Sequence, residues 1–163
     1  TIAGEVKELH DSGVRLQSIG DVEGLPVNCQ SELMSAIEET KDNTEITLVL
    51  ALNYSSKWEI VNAAKKIATD FAVGKITEKE ITSELFDAYL TTAGIPDPEL
   101  LIRTSGECRI SNFLLWQSAY TEFYFTEILW PDFKKEHLYE AVYDYQNRER
   151  RFGMVSEQLN SNI

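Results

Sequence analysis

Five consecutive apolar residues, Leu48-Val49-Leu50-Ala51-Leu52, lie within a β-rich stretch over residues 45–53. A strand with one wet face alternates apolar and polar positions, whereas a nearly unbroken apolar run is expected of a strand covered on both faces. A helical stripe follows over residues 58–73, with Ile60, Ala64, Ile67 and Phe71 on one side and Gly74 to end it. The same alternation runs along the chain. Residues 14–21 read as a short strand ending in Gly-Asp, and residues 31–39 as a helix with Leu33, Ala36 and Ile37 on one face. Thr77 and Glu80 have the spacing of a capping box for a helix to about residue 90. Gly94, Pro96 and Pro98 mark a loop. Beyond it come a buried strand over 100–103, a buried helix over 111–119 and a strand over 123–126. A last helix starts at Pro131-Asp132, with Leu138, Val142 and Tyr145 on one face. Strands alternating with helices predict an α/β fold, a mostly parallel central sheet flanked by helices on both faces. A single domain is expected over residues 1–155, with a flexible tail over 156–163. In such sheets ligands bind beyond the carboxyl ends of the strands.

Charge and motif content narrow the function. The net charge is −12, from 15 basic and 27 acidic residues, which argues against a nucleic-acid partner. No apolar run approaches the roughly 18 residues of a spanning helix, and the cytoplasm is the default location. Cys29 and Cys108 form neither a disulfide framework nor a zinc motif. The chain has no Gly-x-x-x-x-Gly-Lys-Ser/Thr loop, no Gly-x-Gly-x-x-Gly and no Ser-centred nucleophile elbow. Nucleotide hydrolysis, dinucleotide redox chemistry and acyl transfer therefore lack support.

The run from residue 103 to 126 carries the chemistry. Arg103 and Arg109 flank a turn containing Gly106, and Ser111 and Asn112 follow before an apolar stretch. Two guanidiniums, a hydroxyl and amides of a turn or helix start could converge on one anion, and phosphate fits the planar donor pair of arginine best. A helix N-terminus at Ser111 would add its own N–H groups. Glu122 lies eleven residues past Ser111. A carboxylate returning to an arginine-lined phosphate site suits Mg²⁺, which is commonly held by one or two carboxylates plus substrate phosphates. Each residue also has a plainer explanation. Arg103 could pair with Glu99 or Glu107, Ser111 could be a simple N-cap, and Glu122 could be a solvated residue on an edge strand. Phe113, Trp116, Tyr124 and Trp130 read as core. Arg148, Arg150 and Arg151 could be a helix end favoured by the dipole.

This region resembles the C-terminal signature of the cis-prenyltransferases, the undecaprenyl diphosphate synthase family. The matching residues are Arg103, Gly106-Glu107, Arg109 to Gln117, Tyr120, Glu122, Tyr124-Phe125 and Trp130 to Phe133. Weaker matches agree in order: Gly13 to Leu16 with Ile19 to Asp21, Ala51 to Val61, and Asn147 to Gly153. At 55–57 serines stand for two family glycines and a lysine for an arginine, and Cys108 stands where some members carry a histidine near the metal. The resemblance implies cis condensation of isopentenyl diphosphate with an allylic diphosphate, such as farnesyl diphosphate, to a long polyprenyl diphosphate such as undecaprenyl diphosphate. It implies Mg²⁺ as cofactor, with Glu122 as a ligand. It places Arg103, Arg109, Ile110 and Ser111 on the diphosphate of isopentenyl diphosphate. It further implies a homodimer whose Arg151-Phe152-Gly153 reaches the partner's site, and a peripheral membrane contact for product release. The family's Asp-Gly-Asn-Gly-Arg loop, whose aspartate holds Mg²⁺, does not occur here. The expectation is a cis-prenyltransferase fold lacking its N-terminal strand, an incomplete chain with no catalytic aspartate that is inactive alone. The alternative is a non-catalytic accessory subunit of a heteromeric enzyme, which would have little reason to keep Arg103, Arg109, Ser111 and Glu122 together.

Overall fold

The computed structural model describes residues 2–149; Arg151, Gly153 and the tail over 156–163 lie outside them. The chain forms two compact units, one running to Ile95 and one beginning at Pro96. In the first, strands β1 (Val14–Ile19) and β2 (Ile46–Ala51) pair in parallel, from Val14 opposite Ile46 to Ile19 opposite Ala51. Helices α1 (Ile2–Asp11) and α2 (Val27–Thr40) pack on β1 and on each other. Their core joins Val6, Leu16, Leu33 and Ala36, with Val22, Ile37, Leu50 and Leu52 against it. Thr40 fastens α2 to the strand: its hydroxyl accepts from the Leu16 N–H at 3.0 Å and donates to the Ala36 carbonyl at 2.9 Å. Helix α2 starts four residues before the start expected from its apolar stripe. Gln30 secures that first turn by donating to the Glu23 and Leu25 carbonyls at 3.0 and 2.7 Å. Strand β2 departs from the expectation of two covered faces. Ile46 is 62% and Leu48 40% exposed. Among the described residues β2 pairs with β1 alone, and α1 and α2 lie on β1.

Helix α3 (Ser56–Ala72) is capped by Ser55, whose hydroxyl accepts from the Trp58 N–H, and is closed by Gly74 in the left-handed region at φ +74°. Its buried face is Ser56, Glu59, Ala63 and Ile67, rotated from the predicted stripe; Phe71 is half exposed. Burial of Glu59 accompanies the rotation. Glu59 gathers donors from two sides. The Tyr54 hydroxyl donates to its Oε2 at 2.6 Å. The Thr91 N–H and hydroxyl donate to its Oε1 at 2.8 and 2.5 Å. The Thr91 hydroxyl in turn accepts from the Gly20 N–H at 3.3 Å. One carboxylate thus ties together the end of β1, the loop after β2, helix α3 and the segment after helix α4 (Ser83–Tyr89). Helix α4 is shorter than the sequence suggested. The capping box at Thr77 and Glu80 forms, but it encloses only a 3-10 turn over Glu78–Glu80. Thr82 then caps α4 afresh by accepting from the Leu85 N–H at 3.3 Å.

In the second unit β3 (Leu100–Arg103) and β4 (Glu122–Phe125) pair in parallel, Leu100 opposite Glu122 and Arg103 opposite Phe125. The strands are parallel, as expected, but the described residues form two separate pairs rather than one continuous sheet. The helix expected over residues 111–119 is absent: this segment is a succession of turns. Ser111, Asn112 and Leu114 have φ of +53°, +62° and +48°, and a right-handed helix cannot pass through left-handed residues. Phe113, Trp116 and Trp130, expected in the core, are 37%, 40% and 72% exposed. Pro131 sits in a 3-10 turn over Trp130–Asp132, so the last helix, α5 (Lys135–Gln146), begins later than expected. Of its predicted inner face, Leu138 is 42% and Val142 36% exposed. Among the described residues no helix is long and apolar enough to cross a membrane.

Two outcomes should follow. Glu59→Ala removes the carboxylate that accepts from the Tyr54 hydroxyl and the Thr91 N–H, and hydrogen bonds to charged groups contribute about 1.5–3 kcal/mol each. A loss of at least about 3 kcal/mol in chemical denaturation is expected, against about 1 kcal/mol for Glu59→Gln, which keeps an acceptor toward Thr91. Equal losses would show that the acceptor retained toward Thr91 contributes nothing, and would contradict this apportionment. The second outcome concerns acid. Lys75, and after it Tyr89, hydrogen-bond Asp70 and hold its carboxyl below the usual carboxylate range. Such a group stabilises the fold above its unfolded pKa and loses that contribution as pH falls through the depressed folded value. The melting-temperature gap between the parent and Asp70→Asn should therefore shrink below about pH 4; a constant gap would contradict the assignment.

Candidate functional site

Arg103 is the last residue of β3 and half buried, so the strand delivers it to the carboxyl end of the parallel pair. Neither Glu99 nor Glu107 pairs with it; Arg103 forms no ion pair among the described residues. The chain then turns sharply through Ser105 and Gly106, both at φ +68°. Their N–H groups donate to the Ile128 and Thr126 carbonyls at 2.8 and 2.9 Å, stitching the loop to the chain leaving β4. At φ +68° position 106 favours glycine for conformation, and the Glu127 carboxylate lies against it.

The loop next brings Arg109 and Ser111 together, as the spacing suggested: Arg109 Nε donates to the Ser111 hydroxyl at 3.2 Å. Arg109 also pairs with Glu107, and both arginine and serine are exposed. Ile110 is half buried and its carbonyl accepts from the Phe113 N–H at 3.3 Å. No helix begins at Ser111; a turn with left-handed residues stands there in place of a helix N-terminus. Left-handed non-glycine residues cost of order 1–3 kcal/mol each and concentrate at ligand clamps. Four of them, Ser105, Ser111, Asn112 and Leu114, fall within ten residues of one another here.

Glu122 opens β4 opposite Leu100, at the end of the strand pair away from Arg103. Three residues of strand separate the two positions, about 10 Å along the strand direction. Its carboxylate faces Arg148, two residues beyond α5: Arg148 Nη1 donates to Glu122 Oε2 and to the Phe123 carbonyl, each at 2.9 Å. Both side chains are 29% exposed. Among the described residues no group of three or more His, Cys, Asp or Glu could hold a metal by itself. Glu122 would offer a single carboxylate, enough only for a Mg²⁺ whose other ligands are waters and substrate phosphates. Cys108 is exposed, with its sulfur 4.0 Å from the Gly106 carbonyl.

Sequence reasoning missed two groups. Glu59 stands within the Ala51 to Val61 match with no role given to it; the tyrosine five residues before it is its only local signal. Arg148 was read with its neighbours as a helix end, although Asp144 four residues earlier is the natural partner for an arginine on a helix.

Known proteins resemble this chain along most of its length. A family described as putative undecaprenyl diphosphate synthase matches residues 1–153. An isoprenyl transferase of Clostridium perfringens is 51% identical over 154 residues, 94% of this chain and 61% of the relative. One of Geobacter sulfurreducens is 48% identical over 160 residues, 98% of this chain and 65% of the relative. The chain thus spans about three fifths of the length of the curated relatives it matches. A lavandulyl diphosphate synthase from Lavandula x intermedia, solved with dimethylallyl diphosphate, superposes with a TM-score of 0.90 at 38% identity, covering 93% of this chain and 66% of that one. A probable undecaprenyl diphosphate synthase of Campylobacter jejuni gives 0.82 at 31%, covering 93% and 69%. Parallel strands, an arginine at the carboxyl end of β3 and an arginine–serine turn after it accompany a family match over almost the whole sequence, and the chain belongs to the undecaprenyl diphosphate synthase, or isoprenyl transferase, family.

Proposed function

We propose that this chain carries the isopentenyl diphosphate side of a cis-prenyltransferase, which condenses isopentenyl diphosphate with an allylic diphosphate, farnesyl diphosphate being the expected primer, into a long polyprenyl diphosphate such as undecaprenyl diphosphate. The observation that carries this proposal is the Arg109–Ser111 contact on a strained, exposed turn directly after the arginine that ends β3. In the condensation the allylic C–O bond breaks, the alkene of isopentenyl diphosphate attacks the freed carbon, a proton leaves the new chain and inorganic pyrophosphate departs. Arg103, Arg109 and Ser111 would hold the diphosphate of isopentenyl diphosphate, with the Ile110 backbone beside it, and so aim its alkene. Fixed cationic donors also favour the charge growing on a leaving diphosphate. A Mg²⁺ bound by Glu122 and diphosphate oxygens would neutralise part of that charge. The wide exposure of Trp130, Tyr139 and Tyr143, at 72%, 66% and 70%, supports a homodimer that covers them. Through such a pairing Arg151 and Gly153 would serve the partner's diphosphate site. Release of so apolar a product would bring the dimer into passing contact with a membrane surface.

Two measurements test this. The 163-residue chain contains no Asp-Gly-Asn-Gly-Arg sequence. Alone, with Mg²⁺ and both diphosphates, it should show no turnover near the enzyme-typical range of about 1 per second or faster, and such turnover would overturn the role given to the missing loop. In a chain of the relatives' full length, Arg109→Ala removes about two charge-assisted bonds of at least 1.5 kcal/mol each. It should lower kcat/KM for isopentenyl diphosphate by about 10²-fold or more. Arg109→Lys should recover only part, because an ammonium lacks the planar fork. An unchanged kcat/KM in Arg109→Ala would remove Arg109 from the site.

A further inference from the structure

Arg148 uses all three of its guanidinium nitrogens. Nε and Nη2 donate to Asp144 Oδ2 at 2.8 and 2.5 Å, and Nη1 donates to Glu122 Oε2 and the Phe123 carbonyl at 2.9 Å each. Asp144 lies in the last turn of α5, and Glu122 and Phe123 open β4. One edge of the planar guanidinium is therefore fixed by the helix and the other is aimed at the strand. The Glu122 bond, first among several causes, holds the Arg148 pKa above its ordinary value.

We propose that Arg148 is the positioning residue for Glu122, fixing one carboxylate oxygen so that the other is presented to a divalent cation arriving with a diphosphate. This rests on the proposal that Glu122 is a cation ligand. Three observations carry it. Arg148 reaches Glu122 through Oε2 alone, and no other described side chain bonds that carboxylate, which leaves Oε1 open to another positive group. Charge points the same way: two carboxylates, Glu122 and Asp144, share one guanidinium, so the trio keeps a net charge of −1 and still attracts a cation. Geometry is the third. A brace between α5 and β4 would be complete with Asp144 and the Phe123 carbonyl, yet the same nitrogen that reaches Phe123 is shared with Glu122. Partners that orient a metal's ligands typically change metal affinity by 10–100-fold when removed.

The test reads cation binding. Mn²⁺ stands in for Mg²⁺, inorganic pyrophosphate supplies the phosphate oxygens, and electron paramagnetic resonance counts free Mn²⁺, with the melting temperature of each variant recorded alongside. Glu122→Gln examines the underlying proposal: it should abolish the pyrophosphate-dependent Mn²⁺ site. Arg148→Gln should weaken that site by about 10-fold or more, and Arg148→Lys should restore part of the loss. Asp144→Asn, which loosens only the far edge of the fork, should weaken it by a smaller factor. An Arg148→Gln protein that is less heat-stable but binds Mn²⁺ as the parent does would reduce Arg148 to a brace and overturn the proposal. Tighter binding would make Arg148 a competitor of the cation and overturn it as well. Should Arg148→Gln fail to fold, unchanged affinity in both Arg148→Lys and Asp144→Asn would overturn it equally. Parent-like binding in Glu122→Gln, or no site in the parent, would dismiss Glu122 as a ligand. Such a result is recognisable because it does not depend on position 148.

Discussion

A buried carboxylate organises the first unit. Glu59 is 1% exposed, and a carboxylate so placed is tolerable only where donors surround it. Tyr54 and Thr91 provide them from either side, and Thr91 passes the connection on to the Gly20 N–H. Each donor belongs to a different segment, so satisfying one side chain fixes where β1 ends, how the chain enters α3 and where the segment after α4 returns. Gly20 fits the same demand. At φ +107° a side chain there would strike the Leu52 carbonyl, so only glycine lets the backbone approach its neighbour.

The strands were legible because apolar runs bounded by turn residues leave few alternatives, and 100–103 was placed to the residue. Helix α3 was found, but its inward face was not: periodicity scores a glutamate as exposed and cannot see the hydroxyls that meet it. The helix expected over 111–119 failed for a related reason. Its leucines and tryptophan favour a helix by composition, while three left-handed residues, set by how the loop must turn, forbid one. The capping box at Thr77 was read correctly as chemistry and wrongly as the start of a long helix. A box satisfies its own turn, and Thr82 shows that the chain caps twice.

At the site, sequence spacing brought Arg109 and Ser111 together, and they meet. It could not place Glu122, since strand register decides which end of a pair a residue occupies. Within this chain Glu122 therefore belongs with Arg148 and Asp144, and Arg103 with the loop beyond β3. Under the proposed function the arginines would hold the diphosphate, and Glu122 would meet a cation whose shell phosphates and waters complete.

The central claim is that the turn after β3 recognises a prenyl diphosphate. Calorimetric titration of isopentenyl diphosphate in the presence of Mg²⁺, against isopentenyl monophosphate and ATP, tests it without depending on turnover. One diphosphate per chain should bind, more weakly when Ser111 is replaced by alanine, with the monophosphate and ATP much poorer. Equal binding of all three ligands, or binding indifferent to Ser111→Ala and Arg103→Ala together, would contradict the claim.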